Sequence, residues 1–158
     1  MTIVGRSVVV ATAVLVTTLG LGALALALFD WNAARPWISS QVKAWTTRDL
    51  AIEGNLRVHP FSLTPRINAE RVTLGNAEWG KRVPMLAAGE IEFSVSLPEL
   101  LRGRVVFPDV RLKSPVVLLQ RDREGRRNWI LRSSKQATAP SPIIGSLQVD
   151  DGELEFLD

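Results

Sequence analysis

Residues 90–97 read EIEFSVSL, an alternation of polar and apolar side chains without an error. Successive side chains on a strand point to opposite faces, so Ile91, Phe93, Val95 and Leu97 line one side and Glu90, Glu92, Ser94 and Ser96 the other. A helix would scatter the same residues around its circumference. The stretch therefore predicts a half-buried β-strand, and its neighbours read the same way. Upstream, Leu50, Ile52, Leu56 and Val58 alternate with Ala51, Glu53, Asn55 and Arg57. Residues 65–74 form a further strand whose phase slips near Arg71, the mark of a bulge or bend. Downstream, 104–112 and 115–120 read as strands interrupted by Pro108 and Pro115, which belong at strand starts, bends and edges. Residues 98–101 make a short helical turn stopped by Gly103, 122–127 a turn around Gly125, and 133–142 a polar loop. The last segments, 143–149 and 153–157, predict a hairpin about Asp151-Gly152. Short strands joined by tight turns imply an antiparallel β-meander. Leu154 and Phe156 still alternate at its end, so the sheet is expected to present an open edge that a partner or a longer chain would cover.

Two helices are expected ahead of the sheet. From Ser7 to Phe29 the sequence SVVVATAVLVTTLGLGALALALF carries no charged side chain. As a helix it is about 35 Å long at ~1.5 Å per residue, against a hydrocarbon core of about 30 Å. A backbone crossing lipid must satisfy its own hydrogen bonds, so a single span is helical. Residues 7–29 are thus expected to be a transmembrane anchor, after a tail at 1–6. A cleaved signal sequence has an apolar region of only about 7–15 residues. Lys and Arg counts around the span leave its orientation open, with Arg6 before it and Arg35, Lys43 and Arg48 after it. Residues 37–47, entered through Pro36, form a short amphipathic helix in which Trp37, Ile38, Gln41, Val42 and Trp45 share a face. That face can seat in the membrane interface or on the sheet.

The remainder, 30–158, has the size of one domain. A net charge of +3 spread without blocks argues against a nucleic-acid role, and the absence of Cys excludes disulfides and thiolate metal sites. His59 is the sole histidine and sits in a His-Pro-Phe turn. Asp150, Asp151, Glu153 and Glu155 lack the ligand spacing of a calcium loop. Ser133-Ser134-Lys135 lacks the context of a Ser-Lys nucleophile. The arginines at 121, 123, 126 and 127 alternate with Asp122 and Glu124 as in a solvated turn, and no Gly-rich phosphate loop is present. No catalytic residue, metal site or cofactor is expected, and hence no enzyme.

An ordered set of short motifs carries a resemblance. It runs from Asp30-Trp31-Asn32 and Arg35-Pro36-Trp37-Ile38 through Ala51-Ile52-Glu53-Gly54-Asn55-Leu56 and Pro65-Arg66-Ile67. Residues 72–80 (VTLGNAEWG), Leu100-Leu101-Arg102-Gly103, Gly125-Arg126-Arg127-Asn128-Trp129 and Asp151-Gly152-Glu153-Leu154 complete it. In order and spacing this resembles the amino-terminal region of AsmA family proteins, membrane-anchored envelope proteins of Gram-negative bacteria. The family is similar to bridge-like lipid transfer proteins. The resemblance implies an inner-membrane helix and a periplasmic β-sheet curled into a groove, whose apolar inner face carries phospholipid toward the outer membrane. Leu50, Ile52, Leu56, Val58, Ile91, Phe93, Val95 and Leu97 are then the groove candidates, and Trp31, Trp37 and Trp45 the membrane-interface residues. Family members are several times longer, so 30–158 is expected to be an incomplete part of such a β-rich domain. The family's link to outer-membrane protein biogenesis implies an alternative: an assembly factor that meets envelope proteins by strand addition at the edge.

Overall fold

The computed structural model describes residues 3–131 and 142–158, so most of the expected polar loop at 133–142 lies outside the described residues. The chain divides into two compact units, Met1–Asp30 and Trp31–Asp158. The first is one helix, α1 (Ile3–Leu28). The Thr18 hydroxyl donates back to the Val14 carbonyl, one turn earlier, at 2.8 Å. Taken over Thr12–Leu28, the helix is not by itself long and apolar enough to cross a membrane, and no other helix among the described residues is.

The second unit is mainly β. A 3-10 turn (Trp31–Ala34) leads into α2 (Arg35–Thr46), with Pro36 in its first turn where a missing N–H costs nothing. Thr47 ends it at φ 59°, its N–H returning to the Lys43 carbonyl at 2.9 Å. The strands are β1 (Leu50–Ile52), β2 (Leu56–His59), β3 (Arg66–Leu74), β4 (Leu86–Ser94), β5 (Val106–Lys113), β6 (Val116–Gln120), β7 (Ile143–Asp150) and β8 (Glu153–Leu157). The expected short helix is α3 (Leu97–Leu101), closed by Gly103 at φ 76°.

All eight strands belong to one sheet, and that sheet is mixed. β1 and β2 both run antiparallel to β3, β3 to β4, and β4 to both β5 and β6. β7 then lies parallel to β5, and β8 parallel to β6. Two expectations are corrected here. The sheet is not a purely antiparallel meander, and 143–157 do not form a hairpin. Asp151 takes φ 60° but Gly152 does not have positive φ. A type I′ reversal needs both central residues there, and one alone kinks the strand without turning it back. The chain therefore continues along the same neighbour, from Lys113↔Asp150 to Val116↔Glu153.

Left-handed residues and a bulge line up across the sheet at the same level. Between β1 and β2, Glu53, Gly54 and Asn55 stand against Glu70 and Arg71, an extra residue on the first strand. A Cβ on Gly54 would lie 2.5 Å from both the Cβ and the carbonyl oxygen of Glu70, so only glycine fits. Arg71 takes φ 49°, Gly89 faces it on β4, Ser114 at φ 46° separates β5 from β6, and Asp151 separates β7 from β8. Along β3 the buried set switches from Ala69 to Val72 and Leu74. The phase slip expected near Arg71 is therefore one point on a crease running across the whole sheet.

The core cluster straddles this crease line. Leu56, Ala69 and Val72 form its centre, and Trp31, Ile38, Leu50, Ile52, Ile67 and Ile91 pack around them. α2 thus covers the sheet through Ile38, with Val42 also half-buried, while Trp37 and Trp45 remain 65% and 59% exposed. The five residues expected to share one face thus differ in exposure: Ile38, Gln41 and Val42 are half-buried, and Trp37 and Trp45 are exposed.

Candidate functional site

The strand register lays apolar side chains in rows across the sheet. Leu56, Ala69, Ile91, Leu112 and Val149 are successive partners, as are Val58, Ile67, Phe93, Val110 and Leu147. Beyond the crease a third row runs Leu50, Leu74, Leu86, Val117 and Leu154. Directly opposed residues share a face, so each row is a continuous apolar band. Its two ends differ. Near β1 and β2 the band is closed by Trp31 and Ile38, whereas at β7 and β8 Leu147, Val149, Leu154 and Phe156 are each half or more exposed.

On the side of the crease that holds β2, β5 and β7, the other face is polar and paired. Arg57 contacts Glu70 at 3.0 Å, Lys113 contacts Glu90 at 2.6 Å, and Asn68 also donates to Glu90. Arg111 donates through Nε and Nη2 to the Gln148 side-chain oxygen at 2.9 and 2.6 Å. The hydrogen bond from Lys113, then that from Asn68, holds the Glu90 carboxyl below its ordinary range, and Glu90 raises the Lys113 ammonium. This ladder lets Glu70 and Glu90 stand directly opposite each other.

Of the sequence-derived groove candidates, Leu50, Ile52, Leu56, Val58, Ile91 and Phe93 fall on the apolar face. The first three and Ile91 belong to the helix-covered cluster, and the Phe93 ring meets Phe107 edge-on at 5.6 Å. Val95 lies past the end of β4, its N–H on the Pro65 carbonyl, and Leu97 opens α3. The open half of the face, Val110, Leu112, Leu147 and Val149, was not singled out. Its alternation is plain in Asp109–Lys113 and Ser146–Asp150, but the parallel pairing that joins the two is not local. Trp31 packs on the core, whereas Trp37 and Trp45 are exposed.

The motif residues turn out to hold backbone together. Asn32 accepts the Leu56 N–H at 2.9 Å, and Arg35 donates to the carbonyls of Asn32, Ile52 and Gly54 at 3.1, 3.4 and 2.9 Å. Together they tie α2 to the bulge between β1 and β2, where ladder pairing fails. Asn128 is fully buried. It donates to the Leu118 carbonyl and the Asn76 side chain at 2.7 and 3.0 Å, and its own side-chain oxygen accepts the Gln120 N–H at 2.8 Å. Its carbonyl receives Arg48 at 3.2 Å, a guanidinium whose pKa burial lowers. Among the described residues no cluster of three or more His, Cys, Asp or Glu is placed to hold a metal ion.

Comparison with known proteins gives two findings. The model of the AsmA family matches residues 1–152. A curated relative, AsmA family protein YhjG of Escherichia coli (strain K12), is 29% identical over 141 residues, covering 80% of this chain and 20% of the relative. The chain therefore spans about one fifth of that relative's length. No solved structure matches.

Proposed function

Because this chain belongs to the AsmA family, we propose that it is an envelope protein, held in the inner membrane by its N-terminal helix, that binds phospholipid acyl chains along the apolar face of its periplasmic sheet. It acts by non-covalent binding without turnover and serves phospholipid transport to, or homeostasis of, the outer membrane. One observation carries the reading: the apolar rows continue past the helix that covers their first half and end on exposed Leu147, Val149, Leu154 and Phe156. Exposed bands of this kind mark binding surfaces. Each methylene that an acyl chain buries there contributes about 0.8 kcal/mol, so a few contacts suffice to hold a tail, and the crease gives the sheet the bend a groove needs.

The test is lipid retention by the purified full chain. Leu147→Asp with Val149→Asp should lower co-purifying phospholipid at least fivefold by mass spectrometry, whereas Gln148→Asp, on the other face, should not. Equal retention in all three contradicts the reading. A second reading, assembly by strand addition, is favoured by the β7–β8 edge, which pairs on one side only among the described residues.

A further inference from the structure

We propose that the outer flank of α2 is a membrane-surface seat in which Trp37 and Trp45 lie in the headgroup region of the bilayer that holds α1. The inference rests on the anchoring part of the reading above and adds a second lipid contact to it. Trp37, Gln41, Ala44 and Trp45 stand at i, i+4, i+7 and i+8, one stripe of the helix, and none is charged. The neighbouring Lys43 is already engaged by Asp49 at 2.6 Å. Both indoles are largely exposed although Ile38, one residue from Trp37, is packed on the core. An indole, apolar in body with one N–H, is the side chain most at home between hydrocarbon and water.

Area identifies the occupant. Two Trp side chains at this exposure offer roughly 300 Å², well below the ~800 Å² per partner of a stable protein interface. A bilayer needs no such area, because only seven residues separate Phe29 at the end of the uncharged run from Trp37, and that tether makes the contact intramolecular. The seat has a consequence for the sheet. Arg35 ties α2 to the carbonyls of Ile52 and Gly54, so a helix lying in the interface sets the angle at which the apolar face stands to the membrane.

The chain has no cysteine, so Ala44→Cys, Leu19→Cys and Arg123→Cys each accept a single NBD label in the full protein, reconstituted in phosphatidylethanolamine–phosphatidylglycerol vesicles. Spin-labelled lipids quench by depth. Quenching at 44 by headgroup-proximal spin labels should be at least twofold greater than at 123, and should fall to the level of 123 in W37S/W45S. Position 19 should be quenched by spin labels deep in the acyl chains. No quenching at 44 with quenching at 19 overturns the seat and leaves the anchor intact. No quenching at either overturns the anchor and the seat with it. Quenching at 44 that W37S/W45S leaves unchanged also overturns the assignment to the two indoles.

Discussion

At the scale of single residues, the fold depends on polar side chains that mend breaks in the ladder. Asn128 is the clearest case, fully buried and engaged through both side-chain atoms. Asn128→Ala leaves the Leu118 carbonyl and the Gln120 N–H without these partners, and a buried unsatisfied group costs about 1–3 kcal/mol. Urea unfolding of the full chain in detergent, followed by Trp fluorescence, should show a loss of about 3 kcal/mol, and a change within error would contradict the role. Glu90 gives a pH signature instead. Its folded pKa is depressed by Lys113 and Asn68, so the unfolded chain takes up protons first. The stabilisation is complete above the unfolded value of about 4.3 and is lost as pH falls through the folded value. Lys113, raised by the same contact, contributes fully below its unfolded value of about 10.4 and loses that contribution as pH rises through its folded value. Glu90→Gln should therefore flatten the acid limb of the stability–pH curve below about pH 4. An acid limb identical to that of the unmodified chain would contradict the assignment.

At the scale of elements, the crease is the main finding, and it shows what local sequence carries. The alternation in EIEFSVSL, the slip near Arg71, the helix after Pro36 and the stop at Gly103 are all legible because each depends on neighbours in sequence. Asp151-Gly152 was misread for the converse reason. An Asp-Gly flanked by alternating residues looks the same in a hairpin and in a kinked strand that runs on. What separates them is whether 153–157 return along 143–150 or continue along β6, and no nearby residue encodes that choice. The Asn128 cluster was hidden in the same way, since Asn76, Arg48 and Leu118 are distant in sequence. Ser114 tests the crease directly. A left-handed conformation costs an L-residue about 1–2 kcal/mol, and a β-branched side chain tolerates it worst. Ser114→Val should lower stability by about 1–2 kcal/mol. Ser114→Gly should stay within about 0.5 kcal/mol, strain relief offsetting the greater freedom of the unfolded chain. Equal effects of the two in urea unfolding would contradict a left-handed kink at this position.

At the scale of the molecule, one sheet has two unlike faces and two unlike ends. The polar face is closed by its own ion pairs and hydrogen bonds, while the apolar face is closed by α2 at β1 and β2 and open at β7 and β8. The candidate site was half legible. Leu50, Ile52, Leu56, Val58, Ile91 and Phe93 share the face that alternation assigned them, yet most of them lie under the helix. The exposed half comes from strands whose partnership is parallel and long-range. The central claim is that this open half holds phospholipid, and photo-crosslinking in membranes of living cells addresses it most directly. A photoreactive residue is placed in turn at Phe93 and Leu147 on the apolar face and at Glu92 and Gln148 on the polar face, and the adducts are identified by mass spectrometry. Phospholipid captured at Phe93 and Leu147 but not at Glu92 or Gln148 is the predicted result. Capture equal on both faces, or protein adducts alone, would contradict it, and protein adducts alone would favour assembly at the β7–β8 edge.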